Sequence, residues 1–516
     1  MRLGLFGILS VVTAFCACTQ SSPASSDDDS ISLSGPHNAK FSSSSKKVAK
    51  SSSSRSSEVS DEECFGDAGE PWDGTTAKDF ACGAGTKLSP YIILTAEQLA
   101  RLSFVVNSSD KAYSGKYFKL GADILLNNKG AVIDEKGALV ADSTKLHKWT
   151  PIGNSSVSFD GNFDGDGHIV SGMFINTTST HNGLFGNSNG TVQNLTVDNS
   201  WVYGGKYTAG VVGVLRGAGI VRNVVNKTPV IGLNDVVAGV VAATSYDYSK
   251  RGKIENFEND APIQGKKLVA GIIASSDNGL DISNAINHGY VESLSSAGGV
   301  ACHLGSSTNV EYAFNYGEIK GNDYTAGIAS YFGYGYCTAQ TNYGTIKKSK
   351  NFGKITGSNY SAGVVGQAQC VTIKESANEV AVAGNKYVGG LSGHAEKSNV
   401  ESVYNTGNIS GSQNVGGIVG YNQEGVTNSA YSTGKVNGDS LVGLMIGYNY
   451  NTTMADYYYL ERGKQEPFGL NNGGGVATPK TEDDMKSKDF AALLSDEFVY
   501  DSGLNDGYPV LSWEKE

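Results

Sequence analysis

The chain has 516 residues, including 67 glycines, 27 tyrosines, 10 prolines and seven cysteines, and its formal net charge is −11 at pH 7. A net negative charge without basic patches argues against nucleic acid or another polyanion as a partner. The sequence has no phosphate loop, no HExxH motif and no histidines at metal-ligand spacing, so we expect no cofactor and no metal.

The first 17 residues form a predicted secretory signal peptide. A short positive start precedes an apolar stretch that is too brief to cross a membrane as a helix. The sequence FCAC at 15–18 resembles a bacterial lipobox, which predicts diacylglycerol attachment to the Cys18 thiol. The alternative is an ordinary signal peptide, cut near Ala17 without lipid attachment.

Residues 18–63 are rich in serine, lysine and aspartate and contain few large apolar residues, which predicts a disordered tether. Within it, Ser26 to Asp29 resembles the acidic tracts that route some bacterial lipoproteins to the outer face of the outer membrane. The alternative is a solvated charge run. Together with Cys18, these features predict a lipid-anchored outer-membrane protein, exposed at the cell surface, with the membrane as one partner.

Five cysteines remain outside the signal peptide and the lipidation site. Cys64 and Cys82 flank a small Gly- and Asp-rich loop, so we expect a disulfide between them. Cys337 and Cys370 fall in neighbouring repeats and form a second candidate disulfide. Cys302 occupies a column of small residues, which predicts a buried free thiol.

Residues 64–180 form a predicted N-terminal cap and leader. Thr95 and Gln98 give a capping-box pattern, followed by apolar residues at helical spacing, which predicts a helix of about eleven residues. The segment from Tyr117 to Leu126 is a predicted first strand. We expect helix and strand to cover one end of a repeat array, since terminal repeats must hide exposed edges.

The leader contains an acidic cluster made of Asp160, Asp164 and Asp166, followed by His168. Three carboxylates in seven residues could bind calcium or supply the acid and nucleophile of a glycosidase. However, glycines separate the acids, as Asx turns require. Turn formation is therefore the favoured interpretation, and the three acids are only weak metal or catalytic candidates.

Residues 181–455 repeat one unit in a constant register. Ten anchor glycines begin small apolar runs, mostly 26 to 29 residues apart: Gly183, Gly210, Gly239, Gly271, Gly299, Gly327, Gly363, Gly390, Gly417 and Gly443. A second column places an asparagine twelve residues before an anchor: Asn259, Asn287, Asn315, Asn351, Asn378 and Asn405, with Asn226 displaced by one. A fixed period in this range indicates a solenoid.

Each unit contains three short apolar runs separated by Asn, Gly and Ser, without helical periodicity. Runs this short cannot build a sheet alone, but coils stacked about 4.8 Å apart would form a parallel β-helix. We expect the anchor glycines to serve turns or close backbone approaches. Stacked asparagines would bond to one another and to the turn backbone. The third residue after most anchors is small and would form a tight inner corner.

Several anchor motifs, among them GLFG at 183–186, GVVG at 210–213 and 363–366, GLSG at 390–393 and GIVG at 417–420, resemble the GLUG repeats of bacterial surface proteins. The family includes adhesin-like proteins and some zinc-dependent IgA peptidases, whose zinc motif this chain lacks. The resemblance implies a β-helical stalk. The predicted fold is therefore all-β: a right-handed parallel β-helix of about ten coils with short helical caps at both ends.

Tyrosines recur at fixed positions beside the anchors. Those three residues before an anchor are Tyr207, Tyr324, Tyr360 and Tyr387, and those following a repeat glycine are Tyr421 and Tyr448. Tyr324, Tyr360, Tyr387, Tyr421 and Tyr448 are the candidate ligand-binding residues, since exposed tyrosines can stack on sugar rings. The alternative is that stacked tyrosines stabilise the coil edges.

Residues 456–516 are a predicted C-terminal cap, with a capped helix from Thr481 to Leu494. With no catalytic set in the array, we expect a monomeric, non-catalytic protein that acts in adhesion or binds a ligand such as a polysaccharide or a host or surface protein. Two alternatives remain open: a polysaccharide lyase or glycoside hydrolase that uses the acidic cluster, and a structural component of the envelope.

Overall fold

The computed structural model describes residues 64, 66–67, 69–109, 111–128, 130–134, 138–140, 142–245, 251–277, 279–333 and 344–515. The predicted signal peptide, Cys18 and the tether lie outside these residues, as does Cys337. Within the described ranges, no helix is both long enough and apolar enough to cross a membrane.

The chain winds into a parallel β-solenoid, as the repeat columns predicted. A complete coil passes in turn through four sheets, which we number 1 to 4 from the anchor glycine onward. Strands of successive coils pair in parallel and in register, so that Val212 lies opposite Val241 and Val241 opposite Ile273. The short apolar runs of the sequence are these strands.

Three of the sheets contain one strand from each coil they cross. Sheet 1 contains Phe185–Ser188, Val212–Arg216, Val241–Ser245, Ile273–Ser276, Ala301–Leu304, Ala329–Gly333, Val365–Gln369, Ser392–Glu396, Val419–Gln423, Ile446–Tyr450 and Phe468–Asn472. Sheet 3 contains Phe174–Asn176, Trp201–Gly204, Val230–Gly232, Ile263–Gly265, Val291–Ser293, Ile319–Lys320, Ile355–Thr356, Val382–Ala383, Ile409–Ser410 and Val436–Asn437. Sheet 4 contains Thr208–Ala209, Val236–Ala238, Leu268–Ala270, Ser296–Gly298, Thr325–Ala326, Asn359–Ala362, Lys386–Gly389, Gln413–Gly416 and Ser440–Gly443.

Sheet 2 has the longest strands and extends over the N-terminal segment. It contains Tyr91–Ile93, Tyr117–Leu120, Ile124–Leu125, Asn162–Asp164, Ile169–Ser171, Thr191–Asp198, Ile220–Asn226, Gly252–Asn259, Leu280–Asn287, Asn309–Asn315, Gly344–Lys347, Lys350–Asn351, Val371–Asn378, Asn399–Asn405, Val426–Ser432, Thr453–Leu460 and Ala477–Lys480. The predicted strand from Tyr117 to Leu126 is thus two strands, separated by a bend at 121–123.

The strands of sheet 2 bend at a residue with a left-handed backbone. In four successive coils this residue is asparagine, with φ of 54°, 53°, 61° and 54° at Asn194, Asn223, Asn256 and Asn284. Asparagine tolerates this conformation better than most residues. The four side chains also form an exposed ladder, in which each carboxamide donates to the one before it over 2.7 to 2.9 Å.

Buried asparagines form the second ladder, which the sequence predicted. Each Nδ2 donates to the Oδ1 of the next coil over 2.8 Å, from Asn226 through Asn259, Asn287, Asn315, Asn351 and Asn378 to Asn405. Each Nδ2 also donates to the carbonyl two residues onward, as from Asn315 to Gly317 over 2.9 Å. All seven side chains are fully buried, so this ladder satisfies polar groups that water cannot reach. Asn226 belongs to it despite its displacement in sequence.

The interior is filled by valine, leucine and isoleucine from all four sheets. The small third residue after most anchors lies outside this core, in the corner between sheets 4 and 1, where Ala242, Ala274 and Cys302 form a smaller buried cluster. Gly443 is an exception, since the third residue after it, Ile446, belongs to the main core. At Gly366 a methyl group would lie 2.5 Å from the carbonyl oxygen of Ser330. The corner therefore admits only small residues, as expected.

Helix α1, Ala96–Ser108, covers the N-terminal end of the solenoid. The side-chain oxygen of Thr95 accepts from the backbone N–H of Gln98, and the Gln98 side chain accepts from the backbone N–H of Thr95, which completes the predicted capping box. Leu99, Leu102 and Val106 on its inner face are buried in the main core. The predicted N-terminal cap is thus confirmed as a helix that closes the stack.

The C-terminal segment follows a different course from the predicted lid. It contains two one-turn helices, α2 (Glu482–Met485) and α3 (Lys488–Ala491), where the sequence predicted one helix. A two-stranded antiparallel sheet, Phe498–Val499 with Val510–Leu511, follows. Three 3-10 turns, Ser143–Lys145 in the leader and Asn505–Gly507 and Ser512–Lys515 here, complete the described elements.

This segment, which we call the strap (residues 482–515), packs on the outer face of sheet 2. Its apolar residues Met485, Phe490 and Leu511 bury Tyr404 and Tyr431 of the solenoid. Trp513 donates from Nε1 to the Glu375 carbonyl over 3.0 Å. The apolar surface that the strap covers is a column of outward-facing tyrosines on sheet 2: Tyr404, Tyr431 and Tyr458. The strap therefore lies on the side of the solenoid. The strands of the last coil, Phe468–Asn472 and Ala477–Lys480, remain largely exposed.

Candidate functional site

The five predicted tyrosines line one flank of the solenoid, along sheets 4 and 1. Tyr324 stacks on Tyr360 and Tyr360 on Tyr387, both with ring centroids 4.8 Å apart and planes within 16°. Tyr421 stacks on Tyr448 at 4.9 Å and 9°. Tyr387 lies 6.1 Å from Tyr421, so the two predicted groups form one continuous column.

Three further aromatic residues join this column. His394 lies parallel to Tyr421 at 4.8 Å and joins the two groups of tyrosines, and His303 and Tyr331 pack together at 5.0 Å near Tyr324. We call the set of eight the aromatic ladder: His303, Tyr324, Tyr331, Tyr360, Tyr387, His394, Tyr421 and Tyr448. Tyr207 lies apart from it and packs against His181.

The additional members could have been found from the repeat register. His303, Tyr331, His394 and Tyr421 each lie four residues after an anchor glycine, and Tyr448 lies five residues after Gly443. All five share one register position of sheet 1. Two features hide this column in the sequence. Gln367 interrupts it between Tyr331 and His394. In addition, His303 and His394 occupy the position that is tyrosine at Tyr421 and Tyr448.

The stacking decides which parts of the rings a ligand can reach. Because successive rings lie nearly parallel at the spacing of the coils, each ring covers the face of its neighbour. The half-buried tyrosines therefore present ring edges and phenol hydroxyls to solvent. Partial burial raises the pKa of Tyr324, Tyr360 and Tyr421, so their hydroxyls remain protonated hydrogen-bond donors.

Burial also affects the two histidines of the ladder. It lowers the pKa of His303 and of His394 to about 4, since desolvation disfavours the charged imidazolium. The His394 side chain is only 9% exposed. Both rings are therefore neutral near pH 7 and contribute flat, uncharged surface to the ladder.

Polar side chains run beside the ladder on the same face of sheet 1. Gln369, Glu396 and Gln423 lie opposite one another in successive coils. Gln369 accepts from the Tyr331 hydroxyl and donates to Glu396, each over 3.0 Å. These three residues, which we call the polar rail, place carboxamide and carboxylate groups next to the phenol hydroxyls.

Two tyrosines of the ladder adopt an unfavourable backbone conformation. Tyr360 and Tyr387 have φ of 46° and 56°, where the equivalent residue of the next coil is Asn414 with φ of 54°. An aromatic residue in this region costs about 1 kcal/mol or more. Stacking of the rings can offset such a cost, since an aromatic pair contributes roughly 0.5–1.5 kcal/mol beyond its buried area.

The acidic cluster of the leader does not form one site. Asp164 accepts from the Asp166 backbone N–H over 2.9 Å, which is the predicted Asx turn, and Asp166 pairs with Lys119 at 2.8 Å. The Oδ1 atom of Asp160 is buried without a hydrogen-bond partner among the described residues. His168 pairs with Asp123 at 3.1 Å. The carboxylates serve separate partners, and their ligand atoms do not converge.

In the described ranges, a different set of three side chains brings its ligand atoms within 4.8 Å of one another: Glu258, Asp260 and His288. Burial and the neighbouring Asp260 raise the pKa of Glu258, while Lys227 lies 3.6 Å from Asp260. Its members come from two coils, so no local sequence motif brings them together. It is largely exposed and partly balanced by Lys227, so we assign it no ligand.

The cysteines agree with prediction where the structure describes them. Cys64 and Cys82 form a disulfide. Cys302 is a buried free thiol, and burial raises its pKa to about 12. Cys370 is disulfide-bonded, but its predicted partner Cys337 lies outside the described residues, so that pairing stays a prediction.

Similarity to known proteins is limited to part of the chain or to low identity. A stretch of 126 residues is 36% identical to the "Putative Gly-rich membrane protein" of Evansella cellulosilytica. The aligned stretch covers 24% of this chain and 12% of that protein. A stretch of 178 residues is 32% identical to "Halomucin" of Haloquadratum walsbyi, with coverage of 33% and 2%. The chain thus spans a small part of the length of the curated relatives it matches.

A crystal structure of a "putative immunoglobulin A1 protease" from Bacteroides ovatus aligns with 84% of this chain and 95% of its own, at 16% identity and a TM-score of 0.31. A likeness at this level carries no argument about activity. No protein-family model matches the chain, so the similarity to GLUG repeats remains a resemblance of motifs.

Proposed function

We propose that this is a monomeric, non-catalytic surface protein that acts in adhesion or ligand binding, and that the aromatic ladder and the polar rail form its binding surface. The observation that carries the proposal is the continuous column of eight aromatic rings along one flank. Its ligand class is a hydroxyl-rich polymer, a polysaccharide above all. A surface protein is the second choice of ligand.

The mode of contact differs from sugar stacking on open ring faces. Neighbouring rings cover those faces, so a ligand would meet ring edges, phenol hydroxyls and the amides of Gln369 and Gln423. Such groups donate and accept hydrogen bonds at every coil, a repeat of about 4.8 Å. The left-handed backbone at Tyr360 and Tyr387 supports this role, because asparagine would serve the turn at a lower conformational cost.

We further propose that the protein is anchored to the outer membrane through lipid on Cys18 and faces the cell exterior. The lipobox-like sequence and the acidic tract motivate this proposal. One partial relative is named a membrane protein. Release of the protein into the medium on Cys18→Ala would support the anchor, and unchanged membrane fractionation would contradict it.

The test of binding uses Tyr→Phe variants, which keep the ring stack and remove the hydroxyl. Tyr421→Phe with Tyr448→Phe should reduce binding in a polysaccharide screen at least tenfold and leave thermal unfolding unchanged. Tyr316→Phe is the matched control, since Tyr316 stacks on Phe352 at 4.7 Å, away from the ladder. Unchanged binding in the double variant would contradict the proposed surface.

A sugar-release assay on the same polysaccharides separates binding from catalysis. Binding without release supports the proposal. Release of sugar would instead favour a polysaccharide-active enzyme, and alanine at Asp164 would then test the acidic cluster. If the unmodified protein binds no glycan or surface protein, the ladder serves the solenoid itself, and a structural envelope role replaces the binding role.

A further inference from the structure

A buried charged cluster joins the strap to the solenoid. Lys350, on sheet 2, is only 6% exposed, and its Nζ atom lies 2.6 Å from Glu379. It also forms an ion pair and a hydrogen bond with Glu514 of the strap, whose side chain is 9% exposed. Two positions 164 residues apart in the chain thus meet in a site that water hardly enters.

The second oxygen of Glu514 is held by two hydrogen-bond donors. The Leu511 backbone N–H donates to Oε1 over 3.0 Å. The Tyr404 hydroxyl lies 3.0 Å from Oε1, 2.9 Å from Oε2 and 3.1 Å from the Glu379 carboxylate, so it can donate to Oε1 as well. Burial and the two glutamates raise the pKa of Tyr404 well above its usual value, so its hydroxyl stays a donor. Two such donors on one carboxylate oxygen are the arrangement that stabilises the oxyanion of an acyl-transfer intermediate.

The remaining parts of an acyl-transfer site are present in the same cluster. Lys350 is an amine beside the carboxyl group that it would attack, and Glu379 contacts the amine nitrogen as a general base would. The side chains are fixed between rings, because Nζ lies 5.1 Å from the Phe352 ring and 5.4 Å from the Tyr404 ring. Holding two reactants in this way replaces a bimolecular step by an intramolecular one.

We propose that Lys350 and Glu514 condense to an amide bond that joins the strap covalently to the solenoid. Glu379 takes a proton from the Lys350 ammonium and passes it to Oε2 of Glu514, and the neutral Nζ then attacks Cδ of the resulting carboxylic acid. The resulting oxyanion at Oε1 is stabilised by Leu511 and Tyr404. Glu379 then moves a second proton from Nζ to the Oε2 hydroxyl, the Cδ–Oε2 bond breaks, and Oε2 leaves as water. An ammonium and a carboxylate become one amide and one water, so no further reactant is needed.

The condensation also relieves an electrostatic cost. One ammonium and two carboxylates lie in a site of low solvent exposure, and burying each ion is costly even when the ions are paired. Amide formation removes two of the three charges and releases water to the solvent. The product leaves a single carboxylate, Glu379, at the better exposed side of the cluster.

Peptide mass spectrometry on the full chain tests the bond directly. Trypsin cannot cut at an acylated lysine, so the native protein should yield peptide 349–354 joined to peptide 489–515, lighter than their sum by one water. Separate peptides 351–354 and 489–515, with no joined species, would overturn the proposal and leave an ordinary buried ion pair.

Two variants assign the roles. Glu379→Gln should lose the joined peptide while the far-ultraviolet circular dichroism spectrum stays that of the native protein; persistence of the bond would overturn the role of Glu379. Lys350→Arg keeps a cation and cannot form the amide. After proteolysis under denaturing conditions, the strap should therefore separate from the solenoid in this variant and stay attached in the native protein. Equal release of the strap from both proteins would contradict a covalent link.

Discussion

The Oδ1 atom of Asn315 lies 2.4 Å from the position that a methyl group on Gly299 would occupy. The same relationship recurs between Gly271 and Asn287 at 2.2 Å and between Gly327 and Asn351 at 2.2 Å. The anchor glycines and the ladder asparagines, which set the repeat register, are therefore in direct contact with each other. For the anchors from Gly210 to Gly390, glycine is required because the buried asparagine ladder lies against its Cα, whereas its φ is not in the left-handed region.

Gly299→Ala should destabilise the protein strongly. The added methyl group would lie 2.2 Å from the Gly327 carbonyl oxygen as well as close to Asn315, and neither can move without disturbing the ladder. We expect a loss of about 3 kcal/mol, at the upper end of overpacking effects. Chemical denaturation measures it. Gly474→Ala is the matched control, with its nearest neighbour at 3.6 Å, and equal losses in both variants would contradict the explanation.

Asn315→Ala should cost about as much for a different reason. It leaves the Asn287 donor and the Gly317 carbonyl without their partners, and each orphaned buried group costs about 1–3 kcal/mol. The control is Asn256→Gly in the exposed ladder. Glycine tolerates the φ of 61° at this position, and water can replace the lost hydrogen bonds of the exposed side chain. We expect a loss below about 1 kcal/mol there. A similar denaturation midpoint for both variants would refute the distinction between the two ladders.

Acid should weaken the aromatic ladder through His394. Its folded pKa is about 4, against an ordinary value of 6.5, so between these pH values the unfolded chain binds a proton that the folded chain excludes. The contribution of His394 to the free energy of unfolding is therefore fully present above about pH 6.5. It is lost as the pH falls toward 4, by up to about 3 kcal/mol. His394→Tyr continues the ring column without a titrating imidazole. Thermal unfolding at pH 7 and pH 4.5 should show a smaller acid-induced decrease in this variant than in the native protein.

Removal of the Cys64–Cys82 disulfide should act locally. The bond spans 18 residues, a loop whose closure contributes about 3 kcal/mol in the chain-entropy model. Because this loop precedes α1 and the main core, Cys64→Ser with Cys82→Ser should open the segment without shifting the main unfolding transition. Limited trypsin digestion after the exposed Lys87 should accelerate. A lower midpoint for the whole solenoid would show that the loop supports the core.

Much of the fold could be predicted because its contacts repeat. The asparagine ladder, the small inner corner and the tyrosine column each join residues one period apart, so a single register exposes all of them. The capping box of α1 is local and was equally readable. The interrupted ring column was missed at His394 because the register was not followed through Gln367.

The strap could not be predicted because none of its contacts repeats. Its residues meet partners at many sequence separations, as the pair of Lys350 and Glu514 shows. The sequence does present an outward column of Tyr404, Tyr431 and Tyr458 on sheet 2. However, nothing in the repeats states which segment will cover it. The prediction of a lid assumed that the end of the chain lies at the end of the stack.

The position of the strap sets the order in which the molecule can be completed. Its residues contact coils from Tyr312 to Tyr458, so those coils must already be stacked before the last part of the chain finds its place. Until the strap docks, Tyr404 and Tyr431 on the outer face of sheet 2 stay uncovered. Docking of the strap is therefore expected to be a late step of folding, because it needs coils that are far apart in the chain to be in place first.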